Sequence, residues 1–221
     1  MDHHIDHFFD EALASLKQQI LLMGSKVEAI VADCILALKK GDSTLASKII
    51  DADHSINALE ISIDEQCIQL LARYQPAASD LRFLTRGLKI VTDLERIGDL
   101  AVNMAQSVVD ILKHGKPPID LTQISSEVQR MLKDGLDAFV EGDVVKAESV
   151  LTRDDTVDDL TAKYVEELLE KSEKEPQNIK VFFPLTSIIR YLERISDHST
   201  NIAELTIFMV KGRDIRHGRP H

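Results

Sequence analysis

The sequence predicts an all-α protein built as two pseudo-symmetric three-helix bundles, six long antiparallel helices in all. Three observations carry this. Apolar residues recur at helical spacing almost from end to end. Turn-forming residues cut the chain into six pieces, and the last three pieces repeat the first three. Aromatic residues make up only 5%, with no Trp and 9 Gly, whereas a β-sandwich would use more aromatic and turn residues.

The elements follow in order. A first helix runs to Gly41-Asp42, where Ser43 is the expected cap of the second. The second runs to Gln75-Pro76-Ala77-Ala78-Ser79, with Ser79 the expected cap of the third. Gly115-Lys116-Pro117-Pro118 is the strongest break. It sets a first repeat at 1–114, a linker at 115–118 and a second repeat at 119–221. Gly142-Asp143 and Glu175-Pro176 divide the second repeat in the same manner. Helices of roughly 30 residues in the first half imply rods of about 45 Å.

The duplication is explicit. At an offset of 101, Gly41-Asp42 matches Gly142-Asp143, Ala46 matches Ala147, Asp53 matches Asp154, Ile56 matches Val157 and Leu59 matches Leu160. At an offset of 98, Leu94-Glu95-Arg96-Ile97-Gly98-Asp99 matches Leu192-Glu193-Arg194-Ile195-Ser196-Asp197, and Asn103 matches Asn201. A three-residue difference in one loop accounts for the change of offset. The third helix of each half carries a seam stepping by 4, 3, 4, 3 and 4: Ile90, Leu94, Ile97, Ala101, Met104, Val108, and Ile188, Leu192, Ile195, Ser199, Ile202, Thr206. Such a seam is the interior of an antiparallel bundle.

The formal charge of −11 disfavours nucleic acid and anionic lipid, and suits cations or partners with basic patches. Cys34 and Cys67 lie in apolar helical patterns and read as reduced core thiols. The acidic, His-bearing start is unlike a signal peptide, and no apolar run reaches the roughly 18 residues of a spanning helix. A cytoplasmic protein is expected. Neither a nucleophile–base arrangement nor a nucleotide fingerprint is present; Gly24-Ser25-Lys26 lacks the leading glycine of a phosphate loop and sits in a helical pattern.

Candidate chemistry lies beside the seam. Glu95 and Asp99 are four apart and share a helix face that Asn103 and Gln106 continue; the second copy reads Glu193, Asp197, Asn201 and Glu204. On the preceding helix Asp53 and Asn57 are four apart, as are Asp154 and Asp158, while Glu60 and Asp64 extend the first stripe. Paired acids on adjacent helices would offer oxygen ligands to hard or borderline cations. The spacing equally suits a solvated acidic face with Arg96 and Arg194 in surface ion pairs. His198 has Leu100 as its counterpart and reads as a surface or packing residue. His3, His4 and His7 read as an adventitious metal-binding tail, and Lys113, His114 and Lys116 as a helix end favoured by the dipole. Phe8-Phe9 and Phe182-Phe183 are expected to be exposed pairs.

The chain resembles the PhoU family over nearly its whole length. The resemblance rests on Leu59–Cys67, on Arg73-Tyr74-Gln75-Pro76-Ala77-Ala78-Ser79-Asp80-Leu81-Arg82, on Glu95-Arg96-Ile97-Gly98-Asp99 and its second copy Glu193-Arg194-Ile195-Ser196-Asp197, on Asn201-Ile202-Ala203-Glu204, and on Val210–His217. It implies a non-enzymatic regulator that restrains the phosphate-starvation response and high-affinity phosphate uptake. The implied partners are the phosphate ABC transporter ATPase (PstB) and the sensor histidine kinase (PhoR), with the chain as a homodimer. It implies polynuclear metal sites of iron, zinc, nickel or magnesium: Asp53 with Asn57 and Glu95 with Asp99 in the first half, Asp154 with Asp158 and Glu193 with Asp197 in the second. Asn57 departs from the pattern by replacing an acid, and Ser196 by replacing Gly on a face expected to be exposed. The competing readings are a ferritin-like carboxylate enzyme, which wants Glu-x-x-His on two helices and finds none here, and a ligand-free structural bundle.

Overall fold

A Gly-Asp dipeptide opens the second helix of each half, and both copies fold alike. Gly41 (φ +68°) and Gly142 (φ +65°) take the left-handed conformation that closes a helix. The next residue then turns back: Asp42 N donates to Ala37 O at 2.9 Å, and Asp143 N to Ala138 O at 3.0 Å. The same aspartates start the following helix, Asp42 Oδ1 accepting from Leu45 N (2.9 Å) and Asp143 Oδ1 from Lys146 N (3.0 Å). Asp42, and not Ser43, is therefore the cap. Ser43 is already helical, and its carbonyl accepts from Ser47 Oγ. Ser79 is likewise inside a helix that begins at Ala78.

A computed structural model describes residues 2–52, 54–76 and 78–212. Asp53, Ala77 and Arg213–His217 of the sequence motifs lie outside the described residues, as do the side chains of His3 and His4. The helices are α1 (Asp2–Lys40), α2 (Ser43–Ala52), α3 (His54–Tyr74), α4 (Ala78–His114), α5 (Thr122–Glu141), α6 (Val144–Lys174) and α7 (Ile179–Lys211), with a short 3-10 turn, Pro176–Asn178, before α7. Together α2 and α3 occupy the place of the expected second helix. Their counterpart in the other half is α6, of 31 residues. The described chain is all helix and turn, as predicted. The rods exceed expectation: 39 residues in α1 and 37 in α4, about 58 and 55 Å at the helical rise. The connection between halves is non-helical from 115 to 121.

The two third helices, α4 and α7, pack against each other at the centre. They run antiparallel: Arg82 Nε of α4 donates to Met209 O of α7, Arg86 lies over the Phe208 ring, and Asp93 meets His198 and Asn201. Every residue of both predicted seams is buried, at 0–1% exposure. The two hydroxyls on the second seam are satisfied within their own helix, Ser199 Oγ to Ile195 O and Thr206 Oγ1 to Ile202 O, each 2.8 Å. Buried apolar side chains from both halves form one cluster. Gly24 of α1 allows close approach to α5, where an added Cβ would meet Leu136 at 3.1 Å. Cys34 and Cys67 are buried free thiols, each pushed up to about 12 chiefly by burial, as core thiols should be.

Two expectations about exposure fail. Ser196 is fully buried, not on an exposed face, and its hydroxyl donates to Glu193 O at 2.6 Å. Its counterpart Gly98 is buried against Ile56, which a Cβ would approach to 3.2 Å. Of each phenylalanine pair only one ring is exposed. Phe183 is 72% exposed and Phe182 3%; Phe8 is 59% exposed while Phe9 packs on Tyr74 with ring centroids 5.2 Å apart. Neighbours on a helix point about 100° apart, so both members of such a pair seldom share one environment.

Candidate functional site

The stripes come together between α3 and α4 in the first half and between α6 and α7 in the second. On α4, Glu95 is largely buried and Asp99 more open, and Arg96 lies along both, its Nε 3.5 Å from Glu95 and Nη1 3.8 Å from Asp99. Burial raises the Glu95 carboxyl above its usual value, and Asp99 and Glu60 add to this against the opposing pull of Arg96. Glu60 of α3 is raised by burial, then by Asp64, with Arg96 again opposing and Asp99 adding. Asp64 is raised by burial. The first cluster is thus Glu60, Glu95 and Asp99 around one guanidinium, with Asp64 beside Glu60 on α3.

The second cluster joins Asp158 of α6 to Glu193 and Asp197 of α7. Asp158 is raised by burial first and Glu193 next; Asp197 is raised by burial, then Glu193 and Asp158, with His198 and Arg194 opposing. Arg190 holds Glu193 at 2.8 Å. Arg194, the counterpart of Arg96, makes no ion pair within 4 Å among the described residues. Arg153, one residue before Asp154, instead reaches Glu127 and Asp134 of α5.

The remaining predicted residues take varied positions along the same helices. Asn57 and Asp154 bury their Oδ1 atoms beneath the helix surface. Asn103 is exposed, and Glu204 is half-buried further along α7. Asn201 turns towards α4 and donates from Nδ2 to Asp93 Oδ1 at 3.3 Å. The same oxygen lies 2.8 Å from His198 Nδ1, so His198 bridges the two halves. Asp93 was not legible beforehand, because its partners lie 105 and 108 residues away. His7 pairs with Glu11 on α1 at 3.5 Å. Among the described residues no three His, Cys, Asp or Glu side chains converge closely enough to hold one ion. The donor set is nevertheless of the oxygen-rich kind that hard cations take, and mutual repulsion within it is what a cation would relieve.

The duplicated helical bundle has close parallels. A family model described as the PhoU domain matches twice, over residues 20–108 and 121–206. The chain belongs to the PhoU family. The Pseudomonas aeruginosa phosphate-specific transport system accessory protein PhoU homolog is 40% identical over 98% of this chain and 91% of its own. The Escherichia coli phosphate-specific transport system accessory protein PhoU is 33% identical, with coverage of 98% and 91%. The crystal structure of PhoU from Pseudomonas aeruginosa superposes with a TM-score of 0.90 at 40% identity, covering 93% of this chain and 100% of that one. The Streptococcus pneumoniae phosphate transport system regulatory protein PhoU gives 0.86 at 31% identity, covering 93% and 98%. PhoU membership thus rests on both halves and on nearly the full length of the relatives. No described helix is long and apolar enough to cross a membrane.

Proposed function

We propose that this chain regulates phosphate transport and restrains the phosphate-starvation response as a cytoplasmic adaptor between the phosphate transporter's ATPase and a sensor histidine kinase. It is a regulatory accessory protein and not an enzyme, in keeping with relatives named accessory proteins. The observation that carries the reading is the doubled family match over the whole fold. The ferritin-like alternative lacks its Glu-x-x-His ligands.

The acidic clusters supply the contact chemistry. To hold a divalent or ferric ion, Asp158, Glu193 and Asp197 in the second half, and Glu60, Glu95 and Asp99 in the first, would have to draw together by side-chain rotation, since as they stand no three converge on one point among the described residues. A bound cation would cancel or reverse the local negative field and so change what the face attracts. Repulsion among the carboxylates supports this, and docking through such a face would favour a partner with a basic patch.

The test is affinity capture of the tagged chain from cells grown with and without phosphate. Recovery of the transporter ATPase and the kinase is expected. Recovery of neither in both media would refute the adaptor role. Metal content is measured separately, on protein purified without affinity metals. Changing Glu193 and Asp197 together to Ala should remove most second-half metal, and unchanged content would exclude that site.

A further inference from the structure

At one end of the bundle the turn after α1, the end of α4 and the 115–121 connection enclose a half-open cleft of about 620 Å³. Lys39 and Lys40 reach it from α1, and Lys116 from the connection beyond the end of α4. The first turn of α5 contributes Thr122 and Ser125. Ser125 is 3% exposed, and its hydroxyl makes no hydrogen bond among the described residues. The Ser125 hydroxyl is available to a ligand group in the cleft.

One acid lines the cleft, and its charge is already engaged. Asp120 Oδ1 accepts from Thr122 N (2.9 Å) and Thr122 Oγ1, bonds that with Lys39 hold its carboxyl below the usual range. The cleft stays cationic in a chain of net charge −11. The duplicated fold supplies its own control. The second Gly-Asp turn forms with the same glycine conformation and the same aspartate cap, yet Val140 and Glu141 stand where Lys39 and Lys40 do. Neither lysine is needed to make the turn. The helix dipole favours cations at the ends of α1 and α4, and here three of them line one cleft.

We propose that this cleft binds a small phosphate ester. Its phosphate is held by Lys39, Lys40, Lys116 and the Ser125 hydroxyl, and its organic body lies against Ile35, Leu112 and Ile119. A volume of 620 Å³ is of the size that encloses small organic ligands, and far exceeds what inorganic phosphate fills. Two or more cations and a donor at the start of α5 suit a dianionic tetrahedral group better than a single carboxylate. Because the walls come from α1, α4, the connection and α5, occupancy would tie the two halves together at their junction.

The experiment is calorimetric titration of the full chain at physiological ionic strength, which suppresses loose charge pairing. The probes are AMP, ribose 5-phosphate and inorganic phosphate, with adenosine and citrate as comparators. At least one ester should bind saturably and more tightly than inorganic phosphate, while adenosine and citrate bind weakly or not at all. The Lys39→Gln, Lys116→Gln double variant should lose at least about tenfold in affinity with unchanged helicity. Ser125→Ala should weaken binding by several-fold. Absence of binding by both esters, equal binding of adenosine or citrate, inorganic phosphate binding as tightly as the esters, or undiminished affinity in the double lysine variant would each overturn the proposal.

Discussion

Replacing Asp197 by Asn should raise the stability of the metal-free protein. Asp197 shares its face with Glu193 one turn away and confronts Asp158 across α6, and burial and both neighbours oppose its ionisation. Like charges at i, i+4 cost a few tenths of a kcal/mol. The cross-helix Asp158 adds a repulsion of similar size, and solvent screening at these partly exposed positions keeps the sum small. Their removal is offset in part by losing the attraction of Arg194 and His198. The net gain should be about 0.5 kcal/mol, or roughly 1–2 °C in melting temperature for a protein of this size. Thermal melts followed by circular dichroism at neutral pH, with chelator, measure it. The gain should shrink as salt rises. Adding a divalent cation should stabilise the parent more than the variant, because only the parent keeps the full site. A variant melting below the parent in chelator, at low salt, would refute the repulsion argument.

Other expectations follow from the packing. Glu28 of α1 is half-buried, and burial, then Asp137 of α5, raise its carboxyl against the pull of Lys133. The folded state thus holds its proton more tightly than the unfolded state, so the stabilising contribution is full below the unfolded pKa and is lost as pH rises through the raised folded value. Glu28→Gln should therefore be more stable than the parent at neutral pH and lose that advantage in acid, which paired melts at two pH values would show. Asp93→Ala strands two partners across the α4–α7 seam and should cost about 1–3 kcal/mol; a double-mutant cycle with His198→Leu should show positive coupling in denaturant titrations. Phe182→Ala should cost about 3–5 kcal/mol and Phe183→Ala almost nothing, the reverse of what two exposed rings would give.

The duplicated seam was fully legible because strict 4-3 spacing over several turns leaves a helix only one way to bury itself, and all twelve seam residues are buried. The Gly-Asp turns were legible as breaks, but their chemistry was misassigned. Asp42 performs the cap because the residue after a left-handed glycine is already turned to face the next helix's first amides, which leaves Ser43 inside. The i, i+4 acid pairs could be read along each helix. Which acids face them from the neighbouring helix could not, since that depends on the rotation of α3 against α4 and of α6 against α7. Glu60 gathers with Glu95 and Asp99, while Asn201 turns to α4 instead of continuing the acidic stripe. Ser196 was misplaced because the apolar stripe is wider than the seam, so its neighbour positions are buried too.

The regulatory role is tested most directly by the phosphate-starvation response itself, read with a reporter in cells whose chromosomal copy of this chain is deleted. In phosphate-rich medium the deletion should leave the response switched on, and the parent chain supplied in trans should restore repression. A chain carrying Glu95→Ala, Asp99→Ala, Glu193→Ala and Asp197→Ala, with normal helicity, should fail to restore it. Normal repression in the deleted cells would contradict the regulatory role, and full rescue by the four-site variant would contradict the role given to the acidic clusters.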